Sequence, residues 1–165
     1  MSIFFRPMKP GDWKEVAAIF KQGMDTNNAT FDKEIPSWGD WDKAHVTSCR
    51  IVAEIENTVV GWAALSPISP RVCFKGVAEL SIYINAAQRG LKIGTMLLEQ
   101  LILESEREGF WTLQAGIFPE NYASIRLHKS LGFREIGYRE KIGKMNNAWR
   151  NIVLLERRSP YVGVK

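Results

Sequence analysis

The sequence predicts an α/β fold (α+β in layout), a single domain built on one mixed sheet with helices on both faces. Three observations carry this. Leu80 to Ile84 is an apolar, β-branched and aromatic run that suits a buried strand, and it leads through a two-glycine loop into helical periodicity at Met96, Leu97, Leu98, Leu101 and Ile102. Along the whole chain the periodicities follow the order β, α, α, β, β, β, α, β, α, β, β, with no internal repeat or linker. Finally, 165 residues with 45% hydrophobic and 24% charged content suit one globular unit able to bury a core.

Taken in order, Ile3 to Met8 reads as a strand ended by Pro10-Gly11. Asp12 stands where an N-cap belongs, ahead of a helix over Trp13 to Met24 whose apolar side holds Val16, Ala17, Ile19, Phe20 and Met24. Residues 25–34 are polar apart from Ala29 and Phe31 and read as a loop able to bend over a site. Ser37 can cap a second helix through Trp38, Trp41 and Ala44. Residues 49–55 and 58–65 read as strands joined at Glu56-Asn57, followed by a proline-containing loop over 66–76. After the central strand, a helix spans 94–108 and Gly109 ends it; Thr112 to Ile117 is another buried strand. Asn121 opens a helix to Ser130 or Leu131, and strands at 133–144 and 149–156 flank a turn at 145–147. The tail from Ser159 is expected to fray.

Bulk chemistry excludes several classes. No apolar stretch approaches a membrane span and the first residues lack the apolar core of a signal peptide, so a cytoplasmic location is the default expectation. Cys49 and Cys73 form no metal or disulfide pattern, and with two histidines no metal site is expected. The net charge of +4 is mild and its basic residues are spread out, which argues against nucleic acid and fits an anionic small molecule.

The loop Gln88-Arg89-Gly90-Leu91-Lys92-Ile93-Gly94 runs into a helix start, where free backbone N–H groups and the helix dipole favour an anion. It is neither a Walker A loop nor G-x-G-x-x-G. Its weight comes from a second constellation after the next strand, Asn121-Tyr122-Ala123-Ser124-Ile125-Arg126-Leu127-His128-Lys129-Ser130-Leu131-Gly132-Phe133. In this order and spacing the two resemble the GNAT N-acetyltransferases, with [Q/R]-x-x-G-x-[G/A] followed about one strand later by N-x-x-[A/S]-x-x-L-[Y/H]-x-x-x-G-F. Here Arg89-x-x-Lys92-x-Gly94 departs at the middle glycine. The stretches N-A-T-F-D-K-E-I-P-S-W at 28–38, E-L-S-I-Y-I at 79–84 and W-x-N at 149–151 extend the resemblance to the phosphinothricin acetyltransferase-like, or L-amino acid N-acyltransferase, branch.

The resemblance implies a mostly antiparallel sheet splayed where acetyl-CoA binds. The pantetheine arm would pair with the backbone of Ile82, Tyr83 and Ile84. The pyrophosphate would meet Arg89, Gly90, Leu91, Lys92, Ile93, Gly94 and Thr95, with Asn121 on the pantetheine arm and Ser130 near the far end of the cofactor. Asn121 is equally an N-cap in its own right. Glu79 is the implied general base, against the alternative of a solvated strand-end carboxylate. His128 is implied as proton donor to the departing thiolate, or else packs its helix, and the Tyr83 backbone N–H could polarise the thioester carbonyl.

A substrate carboxylate needs a cation, for which Arg71 and Lys75, with Phe74 and Gly76 beside them, are the candidates; Thr30 and Phe31 would wall the side-chain pocket. Trp149 either joins them or belongs to the core. The expected activity is direct acetyl transfer from acetyl-CoA to the amine of a small amino acid or analogue, such as phosphinothricin, methionine sulfoximine or methionine sulfone. Cys73 has no adjacent base to make it a nucleophile. Protein N-termini, polyamines, or a non-catalytic acyl-CoA-binding module are the alternatives, and a homodimer is the assembly the resemblance implies.

Overall fold

A computed structural model of the protein describes residues 2–165. Seven strands form one sheet: β1 (Ile3–Pro7), β2 (Ile51–Ile55), β3 (Thr58–Pro67), β4 (Val77–Ile84), β5 (Thr112–Ile117), β6 (Arg134–Met145) and β7 (Ala148–Arg158). Four α-helices accompany them: α1 (Trp13–Asp25), α2 (Trp38–Ala44), α3 (Ile93–Arg107) and α4 (Tyr122–Ser130). The strand order is β1-β2-β3-β4-β5-β7-β6. β4 and β5 are parallel and every other neighbouring pair is antiparallel.

The period-2 alternation of strands sorts the core into two faces. β3 is buried on both sides, which is why its sequence is a continuous apolar run. Trp62 and Ala64 face α1 and α2 with Val16, Ile19, Phe20, Met24 and Trp41, while Ala63 and Leu65 face α3. On α3, Leu97, Leu98, Leu101 and Ile102 repeat at helical spacing and pack on Leu80, Leu113, Ala115 and Leu155. Truncating a fully buried leucine such as Leu98 costs about 2–5 kcal/mol.

Both hairpin turns behave as their sequences predict. Glu56 and Asn57 have φ of 50° and 63°, and Asn146 and Asn147 have 51° and 62°, the left-handed pair that a two-residue hairpin turn requires. Ser37 caps α2, accepting from the Asp40 N–H at 3.1 Å. Asp12 occupies the cap position of α1, but its carboxylate is taken by Arg6 and the Lys9 N–H.

Three differences stand out. Cys49 and Arg50 are not strand: Cys49 has φ 57°, and the Arg50 guanidinium folds the segment back by donating to Asp42 and to the Val46 and His45 carbonyls. Short 3-10 turns at Pro10–Asp12, Val72–Phe74 and Ala86–Gln88 replace loop. The tail is tied rather than frayed: Ser159 is buried, its N–H donates to the Trp111 carbonyl, and Arg158 donates to the carbonyls of Val162 and Gly163.

Candidate active site

The pairing of β4 with β5 ends at Glu79↔Gln114, although β4 continues to Ile84 and β5 to Ile117. The two strands therefore part, and a cleft of about 1310 Å³ opens over the gap. Register decides which backbone groups face it. The Asn85 N–H donates to the Val60 carbonyl, and the β3–β4 pairing runs through Trp62↔Tyr83. Antiparallel hydrogen-bonding pairs recur every second residue, so Tyr83 is bonded to β3, whereas Ile82 and Ile84 present their backbone to the open side. This corrects the expectation for Tyr83: its N–H belongs to the sheet ladder and is not free to polarise a carbonyl. Its side chain lies on the opposite face from the α3 core, stacked on Trp62 at 5.0 Å, and burial pushes the phenol up to about 12, with Thr30 as its hydrogen-bond partner.

At one end of the cleft stands the loop before α3. Gly90 and Lys92 both adopt left-handed backbone, with φ of 83° and 60°. Lys92 is thus a lysine in a glycine's conformation, which costs about 1–2 kcal/mol. Successive left-handed turns aim backbone N–H groups inward, and Lys92 caps α3 without its side chain, so the first N–H groups of the helix lack a side-chain cap. Arg89, Gly90, Lys92, Ile93, Gly94 and Thr95 line the cleft; Leu91 is exposed and points elsewhere.

At the other end stands Glu79, exposed and opposite Gln114, whose Nε2 is 3.4 Å from the carboxylate. Around it, residues 28–32 of the loop after α1, α2 with Trp41 and His45, and Arg139, Ile142, Ile152 and Leu154 of the β6–β7 hairpin complete the walls. Thr30 and Phe31 line the cleft, the Phe31 ring 4.9 Å from that of Phe118. The cations expected to meet a carboxylate stand in the turn before β4. Arg71 stacks over Phe74 at 5.3 Å in the exposed turn before β4, and Arg71, Phe74 and Lys75 lie outside the cleft. Gly76 is packed under Trp111, where a Cβ would come within 2.0 Å of the indole.

Arg139 also lines the cleft, and the sequence did not point to it. It sits on the edge strand opposite Ile152, between two irregularities of the β6–β7 register, at Glu135/Gly137 and Arg139/Gly143. No local periodicity marks it.

α4 supplies the remaining groups. Asn121 Oδ1 accepts from the Ser124 N–H at 3.3 Å, and its side-chain amide donates to the Asn28 carbonyl at 3.1 Å; Asn121 also lines the cleft. His128 is 1% exposed. Its Nδ1 is 2.7 Å from the Ser124 carbonyl, which can only accept, so Nδ1 carries the proton and Nε2 is a bare lone pair without a partner. Burial holds its pKa below the usual histidine range. Burial thus favours the neutral ring, with Nε2 unpartnered. Ser130 is exposed, donates to the Leu127 carbonyl, and does not line the cleft. Trp149 is likewise exposed, beside Lys144.

A strand edge left open beside a left-handed anion-binding loop is one half of the diagnosis; the other is the family comparison. Residues 13–133 match the model of the Acetyltransferase (GNAT) family. The chain belongs to that family. Among relatives, it is 26% identical to L-methionine sulfoximine/L-methionine sulfone acetyltransferase of Pseudomonas aeruginosa over 163 residues, covering 94% of each chain. It is 27% identical to phosphinothricin N-acetyltransferase of Streptomyces viridochromogenes, covering 92% of this chain and 85% of that one. Of solved structures, ribosomal-protein-alanine N-acetyltransferase from Brucella melitensis superposes with a TM-score of 0.87 at 29% identity, covering 94% of this chain and 99% of that one. A Salmonella typhimurium structure with its cofactor acetyl-CoA gives 0.88 at 25% identity, covering 96% and 94%. Within the GNAT family's signature, the departure at Lys92 leaves the glycine-like backbone in place.

Proposed function

We propose that this GNAT protein moves an acetyl group from acetyl-CoA directly to the amine of a small amino acid or close analogue, of the methionine sulfone, methionine sulfoximine or phosphinothricin type. The observation that carries the reading is the single cleft with an unpaired β4 edge and left-handed loop at one end and Glu79 at the other.

The residues fit the cofactor. Ile82 and Ile84 offer backbone donors and acceptors to a pantetheine arm lying as an added strand, and the N–H groups of 90–95, with Arg89 and Lys92, suit a pyrophosphate. Asn121 lines the same cleft, and its side-chain amide has a second hydrogen to offer. When bound, acetyl-CoA supplies the activated acyl group.

Glu79 takes the amine's proton, directly or through one water, while Gln114 orients the carboxylate. The demand is intermediate: at pH 7, neutralising a peptide α-amine of pKa 7.7–8.0 costs about 1 kcal/mol and a lysine about 4.6 kcal/mol, and the amine of a small free amino acid lies between them. His128 presents Nε2 as an acceptor. Arg139 offers the fork that a carboxylate, phosphinate or sulfonyl oxygen of the substrate requires. Neither cysteine supports an acyl-enzyme: Cys73 is exposed outside the cleft, and burial pushes the Cys49 thiol up to about 11.

A second reading has an observation of its own. Asp32, Glu34 and Asp40 line the cleft together with Glu79, a surplus of carboxylates that suits a polyamine or a protein N-terminus. Release of free thiol from acetyl-CoA with a panel of amines separates the readings. Turnover is expected with methionine sulfone and phosphinothricin; acetyl-CoA binding without thiol release on any amine points to a non-catalytic module, and preference for spermidine or a peptide N-terminus to the second reading.

A cytoplasmic homodimer belongs to the same proposal. No described helix is long and apolar enough to cross a membrane, and Ile136, Tyr138, Ile142 and Trp149 of the β6–β7 hairpin are exposed apolar surface that a second copy would cover. Sedimentation at micromolar concentration tests it, with a monomer contradicting it.

A further inference from the structure

The segment after α1 is held across the cleft by a residue that does not itself line it. Arg150 of β7 donates from one guanidinium nitrogen to the Asn27 carbonyl at 2.8 Å and from the other to Asn28 Oδ1 at 3.3 Å. Its guanidinium lies 4.0 Å from the centre of the Phe118 ring, and Glu120 is 3.5 Å away. Phe118 in turn meets Phe31, and Phe31 fills space that Gly143 leaves: a Cβ there would come within 2.7 Å of the ring. Two weaker ties run the same way, Asn146 to Asn27 Oδ1 at 3.3 Å and Lys33 to Asn146 at 2.8 Å. Asn27 itself takes φ 55°, the left-handed turn that brings its carbonyl round to Arg150.

We propose that Arg150 is a positioning residue for the amine substrate: from β7 it fixes residues 26–32 as the outer wall of the amine end of the cleft, setting the place of Thr30 and Phe31. The proposal rests on the N-acetyltransferase reading for its substrate and on the contacts above for its mechanism. A polar segment with Thr, Asn and Asp at most positions has little apolar area to bury and no helix or strand of its own, so its position must come from outside. A guanidinium meets the need because it reaches two acceptors in a fixed fork while its face rests on an aromatic ring. A lysine makes one such bond and stacks less well. The cofactor end draws on the backbone of β4 and 90–95, which Arg150 does not touch; its one indirect link runs through Asn28, whose carbonyl accepts from the Asn121 amide at 3.1 Å.

Arg150→Ala and Arg150→Lys, compared with the unmodified protein, test this by three readings. For Arg150→Ala, amide hydrogen exchange of residues 26–34 is expected to quicken about tenfold or more while α3 and β3 are unchanged, the effect of losing charge-assisted bonds. KM for the amine is expected to rise about tenfold with kcat changed less than about threefold, and the acetyl-CoA Kd is expected to stay within about twofold. Arg150→Lys keeps the charge near Glu120 and the fold, and is expected to leave the amine KM raised. Unchanged exchange at 26–34, full rescue by lysine, or parallel loss of acetyl-CoA affinity overturns the proposal. If the unmodified protein acetylates no amine, the enzyme reading fails, and the exchange result alone decides whether Arg150 holds the segment.

Discussion

The two ends of the cleft are built from different materials. The end beside α3 is backbone: the left-handed turns at Gly90 and Lys92, the first amides of the helix and the unpaired edge of Ile82 and Ile84. The end beside Glu79 is side chain, gathered from a polar loop, a short helix, one strand terminus and a distant hairpin. Backbone recognition survives substitution as long as the conformation does, which is how Lys92 can stand in a glycine's place. Side-chain recognition has no such tolerance. Changes at the amine end are therefore expected to alter chemistry and selectivity and to spare cofactor binding.

The strongest test of that division is Glu79→Gln, which keeps the shape and removes the carboxylate proposed as the base. Turnover is expected to fall about 10²-fold. Titration calorimetry is expected to find the acetyl-CoA Kd unchanged, and equal loss of both would merge the two ends into one.

A smaller, sharper probe is Gly143→Ala, which drives a Cβ into the Phe31 ring and tightens the amine end only. Overpacking of this kind costs about 1–3 kcal/mol, so the amine KM is expected to rise about tenfold in steady-state assays without a matching change for acetyl-CoA.

His128 sharpens the comparison through pH. Burial lowers its folded pKa, and that of His45, below the ordinary value, so the unfolded chain binds more protons as pH falls. Stability is then fully present above about pH 6.5 and is lost on acidification toward the folded pKa values. Replacing His128 with Phe is expected to flatten the decline between pH 7 and pH 5 by up to about 1.4 kcal/mol per pH unit, read from urea melts at each pH. An unchanged slope would mean that His128 is charged in the folded protein.

The smallest expected effect is at the backbone end. Lys92→Gly removes the left-handed strain and is expected to stabilise by about 1 kcal/mol, raising Tm by about 2–4 °C, with acetyl-CoA affinity changed only by the loss of one flexible charge. A fall in Tm would show that the lysine side chain holds the loop.

The same division explains what the sequence could and could not tell. The order of helices and strands, both hairpin turns and the strand–loop–helix at 79–95 are local patterns, written in periodicity and turn chemistry, and they were readable. The bend at Cys49–Arg50 and the tied tail depend on single arginines folding back onto carbonyls four residues away, side-chain bonds that no hydrophobic period announces. At the site, the backbone end follows from a contiguous stretch. The amine end joins Thr30, Glu79 and Arg139, and no window of sequence holds all three. Arg71 and Lys75 stood out because they flank the short turn just before β4, whereas Arg139 enters the cleft from a strand sixty residues past Glu79 in the chain.

The most direct test of the two-ended cleft is a crystal structure with coenzyme A and methionine sulfone bound together. The account predicts pantetheine amides paired with the Ile82 and Ile84 backbone, the pyrophosphate on the amides of 90–95, the substrate amine within one water of Glu79, and its acidic end toward Arg139. A substrate seated away from Glu79, or a pyrophosphate held by side chains with the 90–95 amides turned aside, would contradict it.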